Sequence, residues 1–277
     1  MKIAIVGATG LVGREIIRIC EELLPHEATY TLFASSNSAG TKLKVNEKVC
    51  EVKELKEENI ETYDISLFSA GGERSKKFAK SFLNKGSYVV DNSSAFRMEE
   101  EVPLVVYGIN EDKISKETKL ISNPNCTTMG LVMVLKPLHE KYKLEKIVPT
   151  AYQAVSGSGR EAVESLKNEE KLGEELKPNY RDGFYTRPIS RNVIPLAGNL
   201  TENGYSDEEM KFVNESRKIL DIKNLIVEPS NARVGVETGH GVFCSATFQK
   251  EVDVKEAIDV LNSFNGVQYW EETLPTP

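Results

Sequence analysis

The 277-residue chain has little of what metal cages and disulfide frameworks are made of. Its four cysteines, Cys20, Cys50, Cys126 and Cys244, lie far apart and form no C-x-x-C pair. That spacing argues against a zinc ribbon or a disulfide-stapled domain, so no metal is expected and the thiols are expected reduced. Histidine is scarcer still. His26, His139 and His240 are the only three, and imidazole chemistry must choose among them. Long hydrophobic runs are missing, since the longest apolar stretch, Thr127 to Leu135, is far short of a membrane span. The N-terminus shows no basic region leading into an apolar leader, so a cytoplasmic location is expected. Excess charge of one sign is missing too. Lys plus Arg is 35 and Asp plus Glu 42, for a net −7. That balance disfavours nucleic acid or a membrane surface as partner. What remains, 40% hydrophobic and 28% charged residues, is ordinary globular composition at a length suited to two domains.

The first third alternates short apolar runs with helical periodicity. Lys2–Val6 reads as a strand, Leu11–Leu24 as a helix and Tyr30–Ala34 as a second strand. Ile65–Ala70, Tyr88–Val90 and Leu104–Tyr107 read as further strands, with a helix over Ser75–Asn84. Alternation over Lys42–Leu55, with a turn at Asn46-Glu47, predicts a hairpin. The pattern changes near Asn123. Helices are expected over Thr127–Tyr142, Glu161–Leu176, from a Ser206/Glu209 capping box to Leu220, and over Val254–Phe264. Strands are expected over Lys146–Val155, Asn224–Val227, Ala232–Thr238 and Val242–Gln249, and the Pro-containing stretch Lys177–Asn199 is expected to be irregular. The expected fold class is α/β: a doubly wound, Rossmann-type parallel sheet over about residues 1–122, then an α+β domain over 123–277.

Three constellations carry chemistry. Gly7-Ala-Thr9-Gly10-Leu11-Val12-Gly13 joins a strand to a helix, the context in which glycines let a pyrophosphate approach helix N–H groups. The second strand ends in Ser35-Ser36-Asn37-Ser38 without an acid to hold a ribose 2′-OH, which favours NADP over NAD; a plain polar loop is the alternative. Asn123-Pro-Asn125-Cys126-Thr-Thr places a thiol at a helix start, where the dipole favours a nucleophilic thiolate. Arg233-Val-Gly-Val-Glu-Thr-Gly-His240-Gly241 offers a guanidinium at the opening of a strand, suited to a carboxylate, and an acid–base imidazole beyond its end, between two glycines. Arg97, closing Asp91-Asn-Ser-Ser-Ala-Phe-Arg97, reads as an anion site or a surface arginine. Glu208 and Lys211, at i,i+3, read as an ordinary surface ion pair.

Together with SAGG at Ser69–Gly72, YQAVSGSGR at Tyr152–Arg160, NVIPLAGN at Asn192–Asn199 and ENGYSDEEMK at Glu202–Lys211, these motifs resemble bacterial aspartate-semialdehyde dehydrogenases over essentially the whole chain. The resemblance implies that Cys126 is the acyl-thioester nucleophile and His240 the acid–base group. It implies that Gln153 orients substrate, Arg233 binds its α-carboxylate, Glu208 lies near its amino group, and Arg97 and Lys211 bind phosphate, with Asn125 also in the substrate site. Gly7, Thr9 to Gly13, Asn37, Ser38, Ser156 and Gly157 are implied to contact NADP. The implied reaction is NADP-dependent reduction of 4-phospho-L-aspartate to aspartate semialdehyde with release of phosphate, feeding lysine, methionine and threonine synthesis. A homodimer formed through the second domain is also implied. Asn37 stands where the family usually has Arg. Ser230-Asn231-Ala232 replaces a usual Thr-Cys-containing stretch. The family usually continues past Leu274–Pro277 with a strand and a helix returning to the nucleotide domain, and this segment is expected to be missing. The alternatives are an N-acetyl-γ-glutamyl-phosphate reductase, against which Asn125 argues, and a catalytically incomplete nucleotide-binding fragment.

Overall fold

The computed structural model describes residues 1–271, so Leu274–Pro277 lie outside the described residues. It divides into two compact units: residues 1–105 with 111–124, and residues 106–110 with 125–277.

In the first unit, β1 (Lys2–Val6) leads through the glycine turn into α1 (Leu11–Leu23) and β2 (Thr29–Ala34). A hairpin of β3 (Lys42–Val45) and β4 (Lys48–Glu51) follows, then β5 (Lys53–Glu54), β6 (Ile65–Phe68), α2 (Gly72–Asn84), β7 (Tyr88–Asp91) and β8 (Leu120–Ser122). The sheet order is β5-β2-β1-β6-β7-β8, with every pair parallel. β1 is apolar without alternation because both its faces are covered. Ile3 and Ile5 pack with Ile17 of α1, whereas Ala4 and Val6 pack with Phe78 and Phe82 of α2. The two helices therefore cover opposite faces, which makes the sheet doubly wound. The hairpin turns at Asn46 (φ 47°) and Glu47 (φ 64°), the two positive φ values that suit a two-residue turn to strand twist. The strand expected over Leu104–Tyr107 does not form. Leu104 makes a single bridge to Ser122, and the edge strand is instead β8, which pairs with β7.

The second unit begins with α3 (Cys126–Tyr142) and β9 (Leu144–Gln153). It continues with α4 (Arg160–Leu172), β10 (Val193–Ile194), α5 (Asp207–Leu220), β11 (Ile226–Val227), β12 (Ser230–Val234), β13 (His240–Phe248) and α6 (Val254–Ser263). β9 is the spine. β11 and β12 run parallel to it on one edge and β13 antiparallel on the other. Its burial alternates: Ile147, Pro149, Ala151 and Gln153 face inward, and Tyr152 points out. α3 and α5 pack on each other and against this sheet. The irregular segment after α4 is held by a buried carboxylate, since Glu169 accepts the N–H groups of Ile189 (2.6 Å) and Ser190 (2.9 Å). Among the described residues no helix is long and apolar enough to cross a membrane.

Candidate active site

The first unit supplies a nucleotide cradle. Gly7 has φ +92°, and a Cβ there would stand 2.4 Å from the Ser69 carbonyl oxygen. A Cβ on Gly13 would stand 2.1 Å from the Gly7 carbonyl oxygen, so only glycine lets α1 start this close to β1. Gly10 caps α1 without a side-chain hydrogen bond, which leaves the helix start to a ligand's oxygens. Gly7, Thr9, Gly10, Ala34, Ser35, Leu55, Ser69, Ala70 and Arg74 line a cavity of about 230 Å³ at this turn. The cradle therefore fits a dinucleotide's phosphates. Asn37 and Ser38 lie in a short turn after β2 and are not among those lining residues. Arg74, in the first turn of α2, is a cation the sequence reading missed, because nothing in its spacing distinguishes it from the lysines around it.

The Asp91–Arg97 loop belongs to the same unit. Asp91 is fully buried and accepts the hydroxyls of Ser75 and Ser93, each at 2.7 Å. Arg97 is buried rather than a surface arginine. Its Nε donates to the Asn123 carbonyl and its Nη2 to the Asn92 carbonyl, both at 2.9 Å.

In the second unit, strand register assembles three polar side chains. Gln153 ends β9, with Arg233 of β12 in register on one side and His240 of β13 in register on the other. Directly opposed residues share a face of a sheet, so all three side chains lie on the inward face. This corrects two local expectations. Arg233 is the fourth residue of its strand rather than the first, and His240 opens β13 instead of lying in a loop. The backbone of Ala154 clips both: its N–H donates to His240 Nδ1 (3.0 Å) and its carbonyl accepts from Arg233 Nη1 (2.9 Å). With Nδ1 accepting, the proton of the neutral ring sits on Nε2. Burial, with the nearby Arg233 cation second, pushes the His240 pKa below its ordinary value. Two buried donors, Gln153 Nε2 and Arg233 Nε, have no partner among the described residues, a pattern that suits a ligand site. Gly157 backs the cluster. A Cβ there would lie 3.2 Å from Arg233 Nη1 and 3.4 Å from His240 Cε1.

Cys126 is exposed at the first position of α3. Asn125 caps that helix, its Oδ1 accepting from the N–H of Thr127 (3.1 Å) and Thr128 (3.5 Å). Its Nδ2 donates to Glu208 Oε2 (3.0 Å), and the other oxygen of Glu208 pairs with Lys211. This ion pair is largely buried, unlike the surface pair its spacing suggests. Glu208 also lies close enough to His240 to favour that ring's protonated form. The other histidines do different work: His139 Nδ1 accepts the N–H of Leu144 at the end of α3.

A parallel nucleotide-binding unit, followed by a second unit holding a helix-start thiol, an imidazole and a guanidinium, defines a dehydrogenase of the semialdehyde class. Residues 2–117 match the semialdehyde dehydrogenase NAD-binding domain and residues 135–277 its dimerisation domain. The chain belongs to the aspartate-semialdehyde dehydrogenase family and is an oxidoreductase with a nicotinamide nucleotide as cofactor. It is 43% identical to the aspartate-semialdehyde dehydrogenase of Corynebacterium melassecola, across 99% of this chain and 84% of that protein. Aspartate-semialdehyde dehydrogenase II of Vibrio cholerae, solved in complex with ASA, superposes with a TM-score of 0.93 at 31% identity, covering 99% of this chain and 82% of that one. The Candida albicans enzyme, solved with NADP, gives 0.72 at 27% identity, covering 95% and 76%.

Proposed function

We propose that the chain catalyses the NADP-dependent reductive dephosphorylation of 4-phospho-L-aspartate to L-aspartate 4-semialdehyde, in the cytoplasm and as a homodimer. The observation that carries this reading is the in-register Gln153–Arg233–His240 cluster with its two unpartnered buried donors, in the same unit as the helix-start thiol of Cys126. Family membership and the relatives solved with ASA and with NADP support it.

The steps follow from the residues. The α3 N-terminus stabilises negative charge on Cys126 sulfur, which attacks the acyl carbon of 4-phospho-aspartate. The C–O bond to phosphate breaks, phosphate leaves, and a thioester remains on Cys126. Arg233 grips the α-carboxylate, and the anionic Glu208 faces the α-ammonium. Lys211 holds the phosphate, Arg97 of the first unit is an anion-binding residue, and Gln153 Nε2 donates to the substrate to fix its orientation. Gly7, Thr9 to Gly13, Asn37 and Ser38 would hold a reduced nicotinamide nucleotide, which would supply the hydride that turns the thioester into a thiohemiacetal. His240 Nε2–H donates a hydrogen bond to the oxyanion of this intermediate, which collapses as the C–S bond breaks, releasing the aldehyde and returning Cys126 as the thiolate. The absence of an acid after β2 is the argument for NADP over NAD.

The homodimer surface is the outer face of the second sheet. Ile226, Tyr152 and Phe243 share that face by register and are 53%, 47% and 68% exposed. These exposed apolar side chains, on a face that also carries Lys146, Thr150 and Ser245, are suited to burial against a second copy.

Phosphate-dependent NADP reduction with aspartate semialdehyde tests the reading. Activity is expected with this substrate and not with N-acetylglutamate semialdehyde, and the reverse preference would assign the sister reductase.

A further inference from the structure

We propose that Glu215 is a positioning residue for the nucleophile, fixing the Cys126 turn to the helix that carries the substrate-binding pair. The proposal rests on the reading of Cys126 as the nucleophile.

Glu215 lies on α5, one and two turns past Lys211 and Glu208 on the same helix face (i, i+3, i+7). It is 2% exposed. A carboxylate removed this far from water costs several kcal/mol unless it is held by donors. One donor it has chosen is informative. Its Oε2 accepts the backbone N–H of Asn125 at 2.7 Å, across 90 residues of sequence. Asn125 is the residue immediately before Cys126. That N–H precedes α3, so no helix carbonyl can satisfy it.

Asn125 is thereby held at three points. Its backbone N–H goes to Glu215, its side-chain N–H to Glu208, and its side-chain oxygen caps the first turn of α3. Two of the three anchors come from α5. The side chain that holds Lys211 and the side chain that holds the nucleophile's turn therefore stand on one rigid rod. Displacing the turn moves the sulfur relative to Glu208 and Lys211, and so relative to substrate bound there. A misplacement of about 1 Å is enough to cost on the order of 100-fold in rate. The role requires an acceptor of the right length, and it does not require a charge.

Three variants separate these cases. Glu215→Gln keeps an oxygen at the same reach and is expected to stay within about threefold of the wild-type kcat. Glu215→Met keeps the length without an acceptor, and Glu215→Asp keeps the charge one methylene short. Both are expected to lose about 10- to 100-fold in kcat per folded molecule, with KM for aspartate semialdehyde changed by less than about threefold and NADP affinity unchanged. A role confined to stability would lower the folded fraction and leave kcat per folded molecule alone. If Glu215→Met does not fold, Glu215→Asp against Glu215→Gln carries the comparison. Wild-type kcat in Glu215→Asp or Glu215→Met, or a loss in Glu215→Gln as large as theirs, overturns the proposal. Cys126→Ala, run alongside, keeps the two readings apart. Turnover surviving in it removes the nucleophile assignment itself, whereas a dead Cys126→Ala beside a fully active Glu215→Met removes only the role of Glu215.

Discussion

His240, the proposed acid–base residue, has one ring nitrogen already engaged. The Ala154 N–H occupies Nδ1, and burial together with Arg233 disfavours a second ring proton. The ring is therefore neutral at physiological pH, and Nε2 is the nitrogen left to face a ligand. The sign of the pH effect follows. With the pKa depressed, the acid limb of kcat against pH is expected to lie below the ordinary histidine value of about 6.5. An acid limb above it would contradict the burial of this ring. The same shift lowers stability as pH falls through that range, because the unfolded chain takes up a proton that the folded one resists. His240→Asn is expected to lower kcat by about 10²–10⁴-fold while NADP binding holds, as steady-state rates and a nucleotide titration would show. The helix start at Cys126 was legible in the sequence, whereas His240 was expected beyond the end of a strand and opens β13 instead. Glu215 was not legible. The role proposed for it rests on a hydrogen bond to a backbone 90 residues away, which no local pattern announces.

At the scale of elements, α5 shows what a local pattern can specify. The Ser206/Glu209 capping box is present as read. Ser206 Oγ accepts the Glu209 N–H at 3.1 Å, and Glu209 Oε2 accepts the Ser206 N–H at 2.7 Å. Glu209 Oε1 adds a tertiary contact that the motif does not encode, accepting the N–H of Asn231 on β12 at 3.0 Å. Ser206→Ala is expected to cost about 1 kcal/mol. A fall in Tm of roughly 2–4 °C in a thermal melt would register it, for a unit of this size. An unchanged Tm would mean the cap contributes nothing here. Helix periodicity over Leu11–Leu23 and Cys126–Tyr142 was read nearly to the residue. Short apolar runs were less informative. Leu104–Tyr107 has the composition of a strand, but only Leu104 finds a partner, whereas the three-residue β8 pairs fully with β7. Pairing is a property of the neighbour as much as of the run, and a single sequence does not show neighbours.

For the whole molecule, the parallel sheet was readable because strand, glycine turn, helix and strand recur in order with little between them. The mixed second sheet was less so. The strand segments were anticipated, but not their order around β9 nor that Gln153, Arg233 and His240 would meet in register. Nor did the alternation in β9 say which of its faces would stay open. That face bears on assembly. Phe243→Asp places a charge on the exposed side of β13 and is expected to shift a homodimer toward monomer in light scattering at micromolar concentration. An undisturbed dimer would move the interface elsewhere on the second unit.

The account stands on Cys126 carrying the acyl group. Mixing the protein with aspartate semialdehyde and NADP while withholding phosphate should let the thioester accumulate. Intact-protein and peptide mass spectrometry is predicted to find one aspartyl adduct, on Cys126, that disappears when phosphate is added. Turnover without such an adduct, or an adduct on Cys20, Cys50 or Cys244 instead, would contradict the account.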